Sequence, residues 1–205
     1  MEELDLLKKN WNRSDPFEQI SESDIYKILL KKSSSTVKWI LIISIIELLF
    51  WTSSNLLCST DDAFEKLHIL NLEKFIIISN VIHYSIVVGF IVSFYKNYKK
   101  ISVITSTKNL MDSILKTRKT VQYYIWYNLA IIALSFIFGI VLVFNTNPEI
   151  SKLNQSSNFK YGFIAGFVIV ASVFVGLFWI LYKLIYGRLL RKLTLNYVEL
   201  KKIDL

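Results

Sequence analysis

The chain has 205 residues, 53% of them hydrophobic, and carries 24 Lys and Arg against 16 Asp and Glu for a formal net charge of +8. A mean hydropathy of +0.43 means more contiguous apolar sequence than one soluble core of this size can hold, so the solvent it calls for is lipid. The single cysteine, Cys58, excludes an intramolecular disulfide and a thiolate metal cluster, and two Pro and six Gly leave little room for flexible linkers between separate domains.

Residues 1–38 form a charged leader, and the first apolar run begins only behind it, which is not the layout of a cleavable signal peptide. Leu4, Leu7 and Trp11 share one helical face that Pro16 closes off. A second start follows at SESD, where Ser21 with Asp24 imitates a capping box ahead of Ile25, Ile28, Leu29 and Lys32. The pattern predicts two short amphipathic helices. Their basic exit, with Lys31, Lys32 and Lys38 around three serines, suits anionic headgroups, and the leader also suits docking to a cytoplasmic protein partner.

A four-span membrane domain is predicted over 39–186, with spans at 39–58, 75–95, 123–144 and 161–182. Each is close to the roughly 20 residues that cross a hydrocarbon core about 30 Å thick. Three of the runs contain no charged residue, and the first is interrupted only by Glu47. Between the second and third spans lies an inner loop and helix, 96–122, in which Leu110, Met111, Ile114, Leu115 and Val121 recur at helical spacing without a breaker before the third span. The fourth span continues into an amphipathic C-terminal helix, 187–205, along a heptad-like stripe of Tyr186, Leu190, Leu193, Tyr197 and Leu200. Sixteen or so extra residues in each of these two helices would project about 24 Å, which predicts a hairpin of the third and fourth helices protruding from the membrane.

Charge sets the orientation. The leader carries seven Lys and Arg, residues 96–122 seven and the tail six, while the other two connections together carry four. The positive-inside rule then places both termini in the cytoplasm of a bacterial cell, with the protein in the inner membrane. The same sorting explains the net charge without nucleic acid as a partner. Trp39, Tyr95, Tyr98, Tyr123, Tyr124, Trp126, Tyr127, Tyr161, Trp179, Tyr182 and Tyr186 fall near the inferred interfaces and read as anchors at the lipid boundary.

Polar residues inside the apolar runs are the candidates for function. Glu47 lies near the centre of its run, where an ionised carboxylate costs several kcal/mol and normally faces a partner or water. Ser44, Glu47, Trp51, Ser54 and Asn55 share one face of the first span, and Asn80, His83 and Tyr84 share one face of the second. Counting inward from opposite sides brings Glu47 and His83 to the same depth, so an intramembrane polar cluster of Glu47, Asn80, His83 and Tyr84 is expected. It could lock the first two helices together, or serve as a relay for protons or ions. One His and one Glu cannot complete a metal site, and no cofactor is implied. In the fourth span Gly162, Ala165, Gly166, Ser172 and Gly176 fall within one sector, a small-residue face over which another backbone can approach closely, whether an internal span or a second copy in a homo-oligomer. No P-loop, GxSxG, HExxH or CxxC occurs, so an enzyme is not expected.

With KKSSSTVKWILIISIIELLFW, ISVITSTKNLMDSILKTRKTVQYY and LRKLTLNYVELKKIDL in view, the whole chain resembles a family of small multi-span membrane proteins of Flavobacterium-type bacteria. That resemblance implies no activity, cofactor or site residue. The expected fold is all-α: a four-helix transmembrane bundle with cytoplasmic helical extensions. The expected role is a non-enzymatic scaffold or signalling partner acting through those extensions, the alternative being a small transporter or channel component that uses Glu47 and His83.

Overall fold

The structure, a computed structural model, describes residues 21–58, 72–146 and 157–203. These form four helices: α1 (Glu22–Cys58), α2 (Glu73–Ser102), α3 (Thr107–Thr146) and α4 (Ser157–Ile203). At 1.5 Å per residue they are about 55, 45, 60 and 70 Å long. All four are long and apolar enough to cross a membrane. They pack in chain order, each against the next, and α4 closes back onto α1, while α1 and α3 also touch across the diagonal.

The SESD start behaves as its sequence suggests. The backbone N–H of Asp24 donates to Ser21 Oγ at 3.2 Å, and Ser21 Oγ donates in turn to Asp24 Oδ2 at 2.8 Å. The Ser21 hydroxyl, and then Lys27 at 3.2 Å, hold the Asp24 carboxyl below the usual carboxylate range.

Burial is concentrated at the end of the bundle that carries most of the Lys and Arg, called the basic end below. Leu29, Val37 and Ile40 of α1, Phe94 and Ile101 of α2, Leu110, Ile114 and Val121 of α3, and Leu193 and Leu200 of α4 form one core there. Towards the other end the helices turn their large apolar side chains outward: Phe50, Ile78, Val81, Ile137 and Ile169 are all more than half exposed. Chains that lie in hydrocarbon need no protein cover, because lipid tails are as apolar as Leu.

Two sequence expectations change at the basic end. The second leader helix is not separate: α1 runs unbroken from Glu22 through the three serines. Ser33 is fully buried and accepts a hydrogen bond from Asn196 Nδ2 of α4 at 3.0 Å, while Thr36 Oγ1 returns to the Lys32 carbonyl at 2.8 Å, so these hydroxyls are paired inside the bundle and do not break the helix. Likewise α2 continues past Lys96 to Ser102 before a short turn leads into α3. The core at the basic end therefore draws on all four helices and not on α3 and α4 alone, because the leader half of α1 and the end of α2 supply part of it. The first leader segment, with Leu4, Leu7 and Trp11, and the connections 59–71 and 147–156 lie outside the described residues.

The heptad-like stripe of α4 packs inward, with Tyr186, Leu193 and Leu200 buried and Leu190 and Tyr197 at the core's edge. At the tip, Tyr26 of α1 donates to the Ile104 carbonyl in the turn between α2 and α3 at 2.8 Å. A Tyr26→Phe variant should lose about 1 kcal/mol of stability, read as a lower unfolding midpoint in detergent titrations. Burial pushes the Tyr26 phenol above its ordinary value of 10.0. Its contribution is thus complete below that value and lost as pH rises through the raised one, so the gap between wild type and Tyr26→Phe should close only in strong alkali.

Candidate functional site: a carboxylate held by three tyrosines

Glu47 of α1 is half-buried and faces α3 and α4. Tyr124 of α3 donates to its Oε2 at 2.8 Å, Tyr186 of α4 donates to the same oxygen at 3.1 Å, and Tyr182 of α4 donates to Oε1. Tyr182 and Tyr186 reach it together because residues four apart stack on one helical face. Tyr124 and Tyr186 are each 1% exposed, so their hydroxyls have no recourse to solvent.

The rings form the wall of the site. Tyr124 meets Tyr186 edge-on at 5.9 Å, Tyr182 stacks on Tyr186 at 5.9 Å, and Phe90 and Phe94 of α2 abut Tyr124 edge-on at 5.5 and 5.6 Å. Asn128 Nδ2 donates to the Tyr124 carbonyl at 3.0 Å, which fixes that turn of α3. A carboxylate accepts only and has about four lone-pair sites, so three phenolic donors nearly saturate it. The arrangement is a hydrogen-bonded joint connecting three helices, backed by the aromatic side chains of the fourth.

The expected cluster is divided. His83 does not pair with Glu47; its Nδ1 lies 3.0 Å from the Tyr127 hydroxyl of α3, with the two rings stacked at 5.7 Å. Tyr84 accepts from Asn55 Nδ2 of α1 at 3.0 Å. Asn80 sits exposed on the outer face of α2, in a shallow groove with Ile77, Tyr84 and Ser85. The reason is register. Glu47 and Asn55 lie about 12 Å apart along α1 and about 80° apart around it, so the former meets α3 and α4 while the latter meets α2.

Depth differs as well. Glu47 is level with Tyr182 and Tyr186, which border Lys183 and Arg188, so it lies at the basic edge of the apolar stretches and not at their centre. Ile40 and Ser44 are fully buried in protein, so the start of the first apolar run covers the basic-end core and extends deeper than the other three runs.

The three tyrosines read as lipid anchors in the sequence, since an amphipathic ring suits an interface and a buried carboxylate equally well. Tyr182 and Tyr186 four residues apart, the second already on the packing stripe, were the signal for an inward role. The small-residue face has no close neighbour among the described residues: Gly162, Ala165, Gly166 and Ser172 are exposed, and a Cβ added at Gly162, Gly166 or Gly176 would meet nothing within 4 Å. Among the described residues no three His, Cys, Asp or Glu side chains gather as a metal site.

Fold and site together define an all-α protein of four long apolar helices joined by a buried carboxylate and tyrosine cluster. The chain belongs to the family described as Domain of unknown function (DUF8845), which matches residues 23–205. No curated protein and no solved structure matches it.

Proposed function

We propose that this is a non-enzymatic multi-pass protein of a bacterial inner membrane, with both termini in the cytoplasm, whose basic-end bundle serves as a scaffold or signalling platform for a cytoplasmic protein. The observation that carries the reading is the closure of Glu47 by three hydroxyls from two other helices. A carboxylate so nearly saturated stiffens the junction between the membrane-length helices and the bundle beyond them. The other polar contacts, His83 with Tyr127 and Asn55 with Tyr84, stand apart from it.

On the outside of the bundle, Leu195 and Val198 of α4 are 55% and 45% exposed, and Arg188, Arg191 and Lys202 share their face with a single acidic residue, Glu199. An apolar strip with cationic margins suits an acidic amphipathic helix of a partner. A photo-crosslinking residue at position 198 in living cells should give one discrete adduct that an added Leu195→Glu change abolishes. Crosslinking to nothing, or to a smear that Leu195→Glu leaves unchanged, removes the partner.

A small transporter or channel component using Glu47 and His83 is the competing reading, favoured only by a carboxylate within an apolar run. Proton flux into liposomes separates the two. Wild type and Glu47→Gln should both be silent on the scaffold reading, whereas flux in the wild type that Glu47→Gln abolishes would establish transport.

A further inference from the structure

A groove of about 430 Å³ runs between the leader half of α1 and the last turns of α2. We propose that it holds the headgroup of an anionic phospholipid of the cytoplasmic leaflet, an inference that rests on the orientation proposed above. Lys27, Lys31 and Lys38 line its α1 side together with Leu30, Ser34 and Ser35, and Tyr98 and Ser102 line its α2 side. The three lysines fall on one strip of α1 and extend about 16 Å along it. Lys32, one residue away in sequence, is exposed but does not line the groove.

The lining hydroxyls add donors to the charges. Ser102 returns to the Lys99 carbonyl of its own helix at 2.7 Å. Ser34, Ser35 and Tyr98 make no such bond and have no hydrogen-bond partner among the described residues. The lining therefore offers three ammonium groups and three uncommitted hydroxyls and contains no carboxylate. Asp24, at 3.2 Å from Lys27, is the acidic group nearest to it along α1 and lies outside the lining. Phosphate oxygens are the natural acceptors for such a set.

Position selects a lipid over a dissolved anion. Seven residues beyond Lys38 the same strip of α1 carries exposed Ile45, and one turn before Tyr98 α2 carries Tyr95, which is 53% exposed. A phosphate in the groove would leave its acyl chains against apolar side chains, with aromatic rings at the boundary where such rings concentrate.

The test is native mass spectrometry of the full-length protein, with phosphatidylglycerol or phosphatidylcholine titrated into the detergent. Phosphatidylglycerol should be retained preferentially. A Lys27→Gln, Lys31→Gln, Lys38→Gln triple variant should weaken that retention about 100-fold, given about 1 kcal/mol for each lysine near an anionic surface. A control triple of Lys32→Gln, Lys108→Gln and Lys116→Gln removes the same charge elsewhere and should stay within about twofold of wild type. Should the first triple misfold by circular dichroism, Ser34→Ala, Ser35→Ala, Tyr98→Phe carries the same expectation of loss through the hydroxyls alone. Equal losses in both lysine triples, no preference between the two lipids, or displacement by millimolar inorganic phosphate would each overturn the proposal. Its failure is distinct from failure of the orientation: in proteoliposomes the latter appears as protease access to the basic end and the opposite connections from different sides than expected, with lipid preference a separate readout.

Discussion

Glu47→Ala is expected to lower the unfolding free energy by about 3 kcal/mol, because each buried hydroxyl left without an acceptor costs roughly 1–3 kcal/mol and the three lost here can partly re-pair with one another. Glu47→Gln keeps one carbonyl oxygen in place and should cost only about 1 kcal/mol. Unfolding in mixed micelles, followed by far-ultraviolet circular dichroism, gives both numbers. A Tyr186→Phe partner mutation completes a double-mutant cycle, in which a coupling of about 1–2 kcal/mol is expected for a charge-assisted bond at 3.1 Å. An alanine variant as stable as wild type would mean that the three tyrosines do not depend on the carboxylate, and the joint would lose its meaning.

The second large effect contrasts the two ends of one helix. Leu193→Ala, at a fully buried position of α4, should cost about 3 kcal/mol through lost contact and the cavity left behind. Leu177→Ala, on the same helix at 52% exposure, should cost under about 0.5 kcal/mol in detergent, where the truncated side chain exchanges one apolar contact for another. The same unfolding assay compares them. Equal costs would place a second protein core at the end opposite the basic one, against the burial pattern.

The four long helices were legible because charge-free runs of this length have few other physical solutions. Glu47 was legible as an anomaly, yet its partners were not. Depth had to be counted from the start of each apolar run, and in α1 that start, from Trp39 through Ser44, packs partly against protein, which displaced the count. Tyr182 and Tyr186 were hidden by their chemistry, since nothing in a ring with one polar tip distinguishes a lipid boundary from a carboxylate across a helix interface. The leader read as short helices ending at a basic, serine-rich exit, with a gap before the first span. Ser33 removes it by bonding to Asn196, 163 residues away, a contact to which local propensity is blind. The small-residue face of α4 was legible as a face, but closeness of another backbone is a property of the assembly, and among the described residues nothing lies within 4 Å of a Cβ added at its glycines.

α4 is a single helix of 47 residues with Tyr182 and Tyr186 near its midpoint. Clamped there to Glu47, it has the geometry of a lever with its fulcrum at the joint and arms of about 38–44 and 26–32 Å. A tilt of about 5° about that point carries the end near Ile203 sideways by about 3 Å while the end near Ser157 swings the opposite way. On the function proposed above, a disturbance among lipids on one side would be delivered, with its sign reversed, to a partner that grips the tail on the other.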